Sequence, residues 1–329
     1  MLKPLVLLCA LVTAAPLAAQ GAQTSVFVAP VTRIGDSIVL GRAVSVGRRD
    51  GVADEPAFTA DSRALLFVAN VGGRSDIWRY ELAGRRARQL TKDAASASSP
   101  RAIPQGSRFS AVRTATNGSR RLWSYAADGS DPRPVLERLG AVGAYTWLSP
   151  STLAISEQGT PSTLHLAEGD GSYDVVISSD VGRVVESVPV ESKALFSFTQ
   201  RGFQDRPGIF VFTGRADTTR FVHEVVRINP ERRGVLAETK RTTVVDSVVI
   251  ASQRPYQLVG LAGDNPFHVW TPDGTLLTAS GTALLRWSNL LGAGSTWIPV
   301  ADVGATGVAR VTRLAFSPDG RWLAFAGER

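Results

Sequence analysis

Leu314-Ala315-Phe316-Ser317-Pro318-Asp319-Gly320-Arg321-Trp322-Leu323-Ala324-Phe325 is the stretch that decides the fold. Two apolar runs flank a Ser-Pro-Asp-Gly turn. Proline presets φ at the first central position, aspartate bonds back to the turn backbone, and glycine takes the positive φ, so the unit reads as a β-hairpin. A second copy runs from His268-Val269-Trp270 through Thr271-Pro272-Asp273-Gly274 to Leu276-Leu277. A third runs from Glu55-Pro56-Ala57-Phe58 through Ala60-Asp61-Ser62-Arg63 to Ala64-Leu65-Leu66-Phe67-Val68. Two more strand-like pieces follow that copy, Asp76-Ile77-Trp78-Arg79-Tyr80 and Arg88-Gln89-Leu90-Thr91. Each piece is rich in β-branched or aromatic residues and bounded by turn formers, giving four strands in about 40 residues.

Weaker copies fill the middle of the chain. They open at Ser99-Pro100-Arg101-Ala102, at Tyr145-Thr146-Trp147, and at Val188-Pro189 with Ala194 to Phe198. The last apolar residue before each turn falls at 58, 102, 147, about 188, 270 and 316. A period of about 40–45 residues with four strands is the blade of a β-propeller. The interval between 188 and 270 is close to two periods. Residues 213–262 therefore either enlarge the fourth blade or form a degenerate extra one, and Val244 to Ile250 is a strand candidate there. The missing aromatic anchor favours six four-stranded antiparallel blades over seven. The last copy ends after two strands, and a propeller must close or leave an open edge. Ser25-Val26-Phe27-Val28-Ala29 matches the Asp76–Tyr80 strand, and Ile38 to Val46 can supply an outermost one. Residues 24–52 are thus expected to complete the last blade of a propeller domain spanning 24–329. Phe27 is expected in the interblade slot that Trp78 and Trp123 hold in their own blades.

With the Ser317-Pro318-Asp319-Gly320 turn and the Asp76-Ile77-Trp78 strand, the repeat resembles the WD-type repeats of the TolB-like β-propeller family, over essentially all of residues 24–329. The resemblance implies a rigid exported binding scaffold. TolB itself carries an α/β domain ahead of its propeller. The short interval between Thr24 and the first blade leaves no room for one, which points away from a role in the Tol envelope machinery.

Composition agrees with an exported all-β protein. Hydrophobic residues make up 44% of 329, enough for a substantial core, and 31 glycines with 18 prolines suit many short strands joined by turns. Lys3 followed by the apolar run Leu5 to Leu17 and small residues at Ala18, Ala19, Gly21 and Ala22 reads as a signal peptide over residues 1–23. The run is too short for a spanning helix, which needs about 20 apolar residues. The mature chain is accordingly expected in the periplasm or secreted, monomeric, and not embedded in the membrane. The one cysteine, Cys9, lies inside that apolar run, so the mature chain has no disulfide and no thiolate chemistry. The net charge is +7, but the arginines are scattered singly or in pairs such as Arg48-Arg49 and Arg232-Arg233. Nucleic acid recognition needs a clustered basic stripe, so it is not expected here.

The residues that could carry chemistry are few. No G-x-S-x-G nucleophile elbow occurs. His165, His223 and His268 form no metal-ligand pair. His165 takes the slot held by Trp78 and Trp123 and is expected to pack, whereas His268 starts an innermost strand. Glu168, Asp170 and Asp174 on a Gly-rich loop are the candidate Ca²⁺ ligands, because carboxylates at alternate positions suit that ion. An acidic hairpin explains them equally well. Asn117-Gly118-Ser119 reads foremost as a hairpin turn. Trp78, Trp123, Trp147 and Trp270 occupy repeat positions and are expected in the core rather than stacked on sugar, with Trp297 least explained.

The expected function is non-enzymatic binding of a protein or peptide partner in the envelope, with no cofactor. The expected surface is the channel mouth where the innermost strands begin, with Glu55, Ser99, Ala144, Glu186, Phe267, His268 and Arg313 as its residues. The alternative is an enzyme, or a carbohydrate- or metal-binding propeller, using the central channel. Such an enzyme needs several inward carboxylates or histidines converging on one point.

Overall fold

The computed structural model describes residues 23–34, 37–46, 52–189, 196–214, 216–228, 239–251, 254–290 and 294–329. Residues 1–22 of the expected signal lie outside these, as do Ala194 and Leu195. Among the described residues the fold is all-β apart from two single 3₁₀ turns, at Phe203–Asp205 and Gly304–Thr306.

The strands form six blades of antiparallel strands, innermost strand first. Blade 1 comprises Ala53–Phe58, Ala64–Val71, Arg74–Glu81 and Arg86–Gln89. Blade 2 comprises Ser96–Ala102, Phe109–Thr114, Arg120–Tyr125 and Arg133–Val135. Blade 3 comprises Val142–Trp147, Thr152–Glu157, Thr163–Glu168 and Asp174–Ser179. Blade 4 comprises Val181–Ser187, Phe196–Arg201, Pro207–Phe212 and Tyr256–Gly260. Blade 5 comprises His268–Trp270, Leu276–Ser280, Ala283–Leu290 and Gly294–Asp302. Blade 6 joins Arg310–Phe316 and Trp322–Glu328 to the N-terminal strand Thr24–Ile34, whose outer edge pairs with Ser37–Leu40 and Val44–Ser45.

The long interval in the sequence is resolved by an enlarged fourth blade. Between its third and fourth strands a separate hairpin pairs Ala216–Ile228 with Thr239–Ala251 along thirteen residues each. The strand candidate Val244 to Ile250 is part of that hairpin, so no seventh blade forms.

The turns carry the chemistry that their sequences specify. Gly274 and Gly320 sit at φ 81° and 74°, and the N–H of each donates to the carbonyl of the hydroxyl residue three positions earlier, Thr271 or Ser317. That hydroxyl also accepts from a backbone N–H just beyond the turn, Thr275 N–H donating to Thr271 at 3.0 Å and Trp322 N–H to Ser317 at 2.9 Å. Blade 1 lacks the proline and glycine, and Ser62 enters the left-handed region at φ 57° instead. The Asn117-Gly118 pair is a hairpin turn, with Gly118 at φ 82°.

Ring closure follows the expected register. Thr24–Pro30 pairs with Trp322–Glu328, which sets Phe27 opposite Phe325 with stacked rings 5.2 Å apart. Trp78 opposite Phe67 and Trp123 opposite Ala111 hold the same position in blades 1 and 2. Phe27 is buried in one cluster with Val269, Leu277 and Leu284 of blade 5, so closing the last blade also fastens it to its neighbour. The closing segment ends earlier than residue 52, because the Val52 carbonyl already accepts from Asn70 N–H of blade 1.

The core lies between blades, with a cluster of buried apolar side chains at each of five interfaces. Burial of that surface is the main favourable term in folding. Polar anchors fix the register between blades. Trp147 donates to Ser110 of the preceding blade, and Trp270 to Ser197 of the blade before it, both at 2.8 Å. Trp297 is explained in the same way, since its indole N–H donates to the Gly260 carbonyl at the outer edge of blade 4.

Candidate functional site: a polar cavity at the channel mouth

The innermost strands are irregular in a repeated way. Their pairing with the second strand shifts register between Asp54 and Ala57, Ser98 and Arg101, Val142 and Tyr145, Val181 and Val185, and Val311 and Arg313. A bulge leaves residues unpaired and re-aims their side chains, and such irregularities gather beside functional sites. Here the bulged residues Glu55-Pro56, Ser99-Pro100, Gly143-Ala144 and Gly182-Arg183-Val184 all line one cavity of about 840 Å³. Glu55 and Ser99 both adopt φ 53°, in the left-handed region that side chains with a Cβ disfavour. The Ser99 N–H donates to the Glu55 carboxylate at 2.5 Å, which ties the two bulges together.

All seven residues singled out from the sequence line this cavity: Glu55, Ser99, Ala144, Glu186, Phe267, His268 and Arg313. Five of them, Glu55, Ser99, Ala144, Phe267 and Arg313, stand three residues before the strand-end position. In blade 4 that place belongs to Val184, because Ser187 is the residue paired with the first position of the second strand. Glu186 therefore occupies a different repeat position, one residue before the strand end. The equivalent residues elsewhere are Ala57, Arg101, Thr146, Val269 and Ala315.

That position contains the central contact of the channel. Arg101 of blade 2 reaches over blade 3 to grip Glu186 of blade 4 with both terminal nitrogens, at 2.5 and 3.0 Å. Burial works to depress the Arg101 pKa, but the charge and hydrogen bonds of Glu186 outweigh it, and the guanidinium stays above its ordinary value. Arg101 was not singled out from the sequence. Aligning the six positions before the strand ends shows one arginine and one glutamate among otherwise uncharged residues, which is the signal that would have found the pair.

Two buried hydroxyls repeat one arrangement around this pair. Ser110 contacts the Tyr145 hydroxyl at 2.9 Å and accepts from Trp147; Ser197 contacts His268 Nε2 at 2.8 Å and accepts from Trp270. His268 thus replaces a tyrosine in a structural network. Burial lowers its pKa to about 4, so the ring is neutral near pH 7, with the Pro266 carbonyl 3.4 Å from Nδ1. Ser197 is fully buried and does not line the cavity, so the Ser197–His268 contact offers no exposed nucleophile. Burial also raises the Glu55 pKa, against the Ser99 hydrogen bond.

The remaining sequence candidates go elsewhere. His165 is buried in the interblade slot, with Asp174 2.6 Å from Nδ1 and Thr163 2.7 Å from Nε2. The calcium candidates are not brought together: Glu168 accepts from the Thr152 hydroxyl, Asp170 from Ser172 N–H within its own turn, and Asp174 bonds His165. Among the described residues no three His, Asp or Glu side chains form a group that could hold a metal ion. Also among the described residues, no helix is long and apolar enough to cross a membrane.

The architecture is that of the TolB-like β-propellers. The chain superposes on a putative TolB from Agrobacterium tumefaciens with a TM-score of 0.61 at 12% identity, covering 94% of this chain and 99% of that one. It superposes on TolB from Acinetobacter baumannii with a TM-score of 0.50 at 11% identity, covering 92% of this chain but 64% of that one. A gluconolactonase from Xanthomonas campestris is also similar, with a TM-score of 0.56 at 12% identity over 94% and 99% of the two chains. At such identities the likeness is one of fold, and the fold hosts both binding proteins and enzymes. No protein-family profile and no curated protein matches the sequence.

Proposed function

We propose that this chain is an exported, non-enzymatic propeller that binds a protein or peptide at the channel mouth. The observation that carries the proposal is the set of bulges, which turn backbone and side chains of four successive blades into one polar cavity of about 840 Å³. That size falls in the range of about 300–1,000 Å³ typical of ligand pockets. Three inward groups are held within the lining: Glu186 by Arg101, Glu55 by the Ser99 N–H, and His268 by the Ser197 hydroxyl. Groups held in this way suit recognition by shape and hydrogen bonding. A hydrolytic site would need a carboxylate or imidazole left to receive a proton from water or substrate. Export rests on Lys3 and the apolar run that follows it.

The test is capture of a partner from an envelope extract by the mature protein. A cavity-filling Ala144→Phe variant with an unchanged melting curve should lose the partner. An Asp61→Ala variant, altered in the turn at the other end of the blade 1 inner strand, should keep it. Equal capture by all three proteins would overturn the assignment. So would turnover of lactone, ester, glycoside or peptide substrates that Ala144→Phe abolishes.

A further inference from the structure

Arg313 and Arg183 both line the cavity, and neither is neutralised there. Arg313 of blade 6 is stacked on the Phe267 ring of blade 5, its guanidinium carbon 3.2 Å from the ring centroid, and one terminal nitrogen donates to the Thr312 carbonyl at 3.2 Å. Such stacking fixes the orientation of a guanidinium without consuming its charge. No carboxylate of the described residues comes within the 4.0 Å of an ion pair with it. Arg183 of blade 4 is exposed on the Val181–Val185 bulge, and among the described residues it too has no ion pair. It lies close enough to repel the Arg313 charge, and Arg101 repels it as well.

The acidic side chains of the lining do not cancel this charge. The cavity holds Arg101, Arg120, Arg183 and Arg313 against Glu55, Glu157 and Glu186. Glu186 is committed to Arg101, and Glu55 receives the Ser99 N–H. Glu157 faces His165, 3.8 Å away. Asp54 and Glu55 attract Arg313 from beyond ion-pair distance. Small residues, Gly143, Ala144, Gly159 and Gly182, line part of the same cavity. Extended backbone can approach closely there. Arginine forks grip carboxylates bidentately, and like charges facing each other across a cavity are relieved by an anion between them.

We infer that the cavity selects acidic peptides, with Arg313 and Arg183 clamping a carboxylate over the Phe267 edge of the channel. The inference rests on the peptide-binding reading and names the chemistry of its ligand.

The test uses fluorescence anisotropy at 150 mM NaCl with labelled octapeptides. One arm is octaglutamate with its carboxyl terminus amidated. A second is a neutral Gly-Ser octapeptide with a free carboxyl terminus, which separates side-chain carboxylates from a chain end. A third is octalysine. Octaglutamate is expected to bind, octalysine is not, and Arg183→Gln/Arg313→Gln should weaken octaglutamate by about tenfold or more, the scale of one lost charge-assisted contact. Binding of the Gly-Ser peptide that is lost in the same variant supports a chain-end carboxylate in the same clamp. The control Arg86→Gln/Arg138→Gln removes equal charge from the outer surface and should change affinity less than twofold. Equal weakening in the two double variants would mean general attraction to a basic protein and would overturn the inference. So would octaglutamate binding unchanged in Arg183→Gln/Arg313→Gln. Partner capture that is lost in Ala144→Phe but kept in that variant, with no octaglutamate binding, would sink this inference alone and leave the proposed function standing.

Discussion

Changing His268 to glutamine should alter how stability depends on pH, by an amount that follows from the site. In the unfolded chain an imidazole takes up a proton near pH 6.5. In the folded protein burial holds the His268 pKa down to about 4. Between those values the unfolded chain binds the proton and the folded chain refuses it. The stability that depends on neutral His268 is therefore fully present above pH 6.5 and is lost as pH falls toward 4. The slope approaches about 1.4 kcal/mol per pH unit, and the loss between pH 8 and pH 4 is about 3 kcal/mol. That is a large share of a folding free energy of about 5–15 kcal/mol. Glu55 contributes in the opposite sense: burial raises its pKa, so the fold favours its proton as pH rises past the ordinary value. The difference between wild type and His268→Gln cancels that contribution. Urea unfolding followed by tryptophan fluorescence, from pH 4 to 8, gives the difference directly. The variant should be the less stable protein at pH 8 and should gain about 3 kcal/mol relative to wild type by pH 4. A difference that does not change with pH, or an NMR titration of His268 near 6.5, would refute the burial argument.

Other expected outcomes test the frame around the site. Phe27→Ala should cost about 3–5 kcal/mol in chemical denaturation, because the ring is buried between blades 5 and 6 and stacked on Phe325. Deleting residues 24–34 should cause aggregation visible by light scattering, since it opens the whole edge of the Trp322–Glu328 strand. Arg101→Met should destabilise by about 2 kcal/mol by leaving Glu186 without its partner. Arg101→Met/Glu186→Leu should recover most of that loss in the same assay. Mass spectrometry of protein purified from its native envelope should find the N-terminus between Gln20 and Thr24.

Those parts of the fold that depend on local chemistry were legible in the sequence. The Pro-Asp-Gly turns at 272–274 and 318–320 specify hairpins whatever surrounds them, and their spacing specifies blades. Phe27 could be placed because its flanking strand repeats the pattern around Trp78, and closure demands such a strand. The cavity residues three places before each strand end were legible for the same reason, since one repeat position maps to one place on the ring. The Arg101–Glu186 pair was not, because it joins residues 85 apart across the channel and has no counterpart in other blades. Glu186 was reached two residues away from the place its companions hold, because the inner strand of blade 4 ends at Ser187 and not at the apolar residue near 188. Residues 213–262 carried a clear strand signal without an indication of which strand they pair with. Long two-stranded hairpins and extra blades share the same alternation, and only the register of Ala216–Ile228 against Thr239–Ala251 separates them. The calcium candidates share a loop, but the hydrogen bonds to Thr152, Ser172 and His165 send them to three different partners.

The most direct test of a binding channel mouth is site-specific photo-cross-linking in the native envelope. p-Benzoylphenylalanine placed at Ala144 or Phe267 reports on the cavity, and the same group at Asp61 reports on the opposite ends of the inner strands. The account predicts one discrete protein or peptide adduct from positions 144 and 267 and none from position 61. Adducts from position 61 alone, or the same adducts from all three positions, would contradict it.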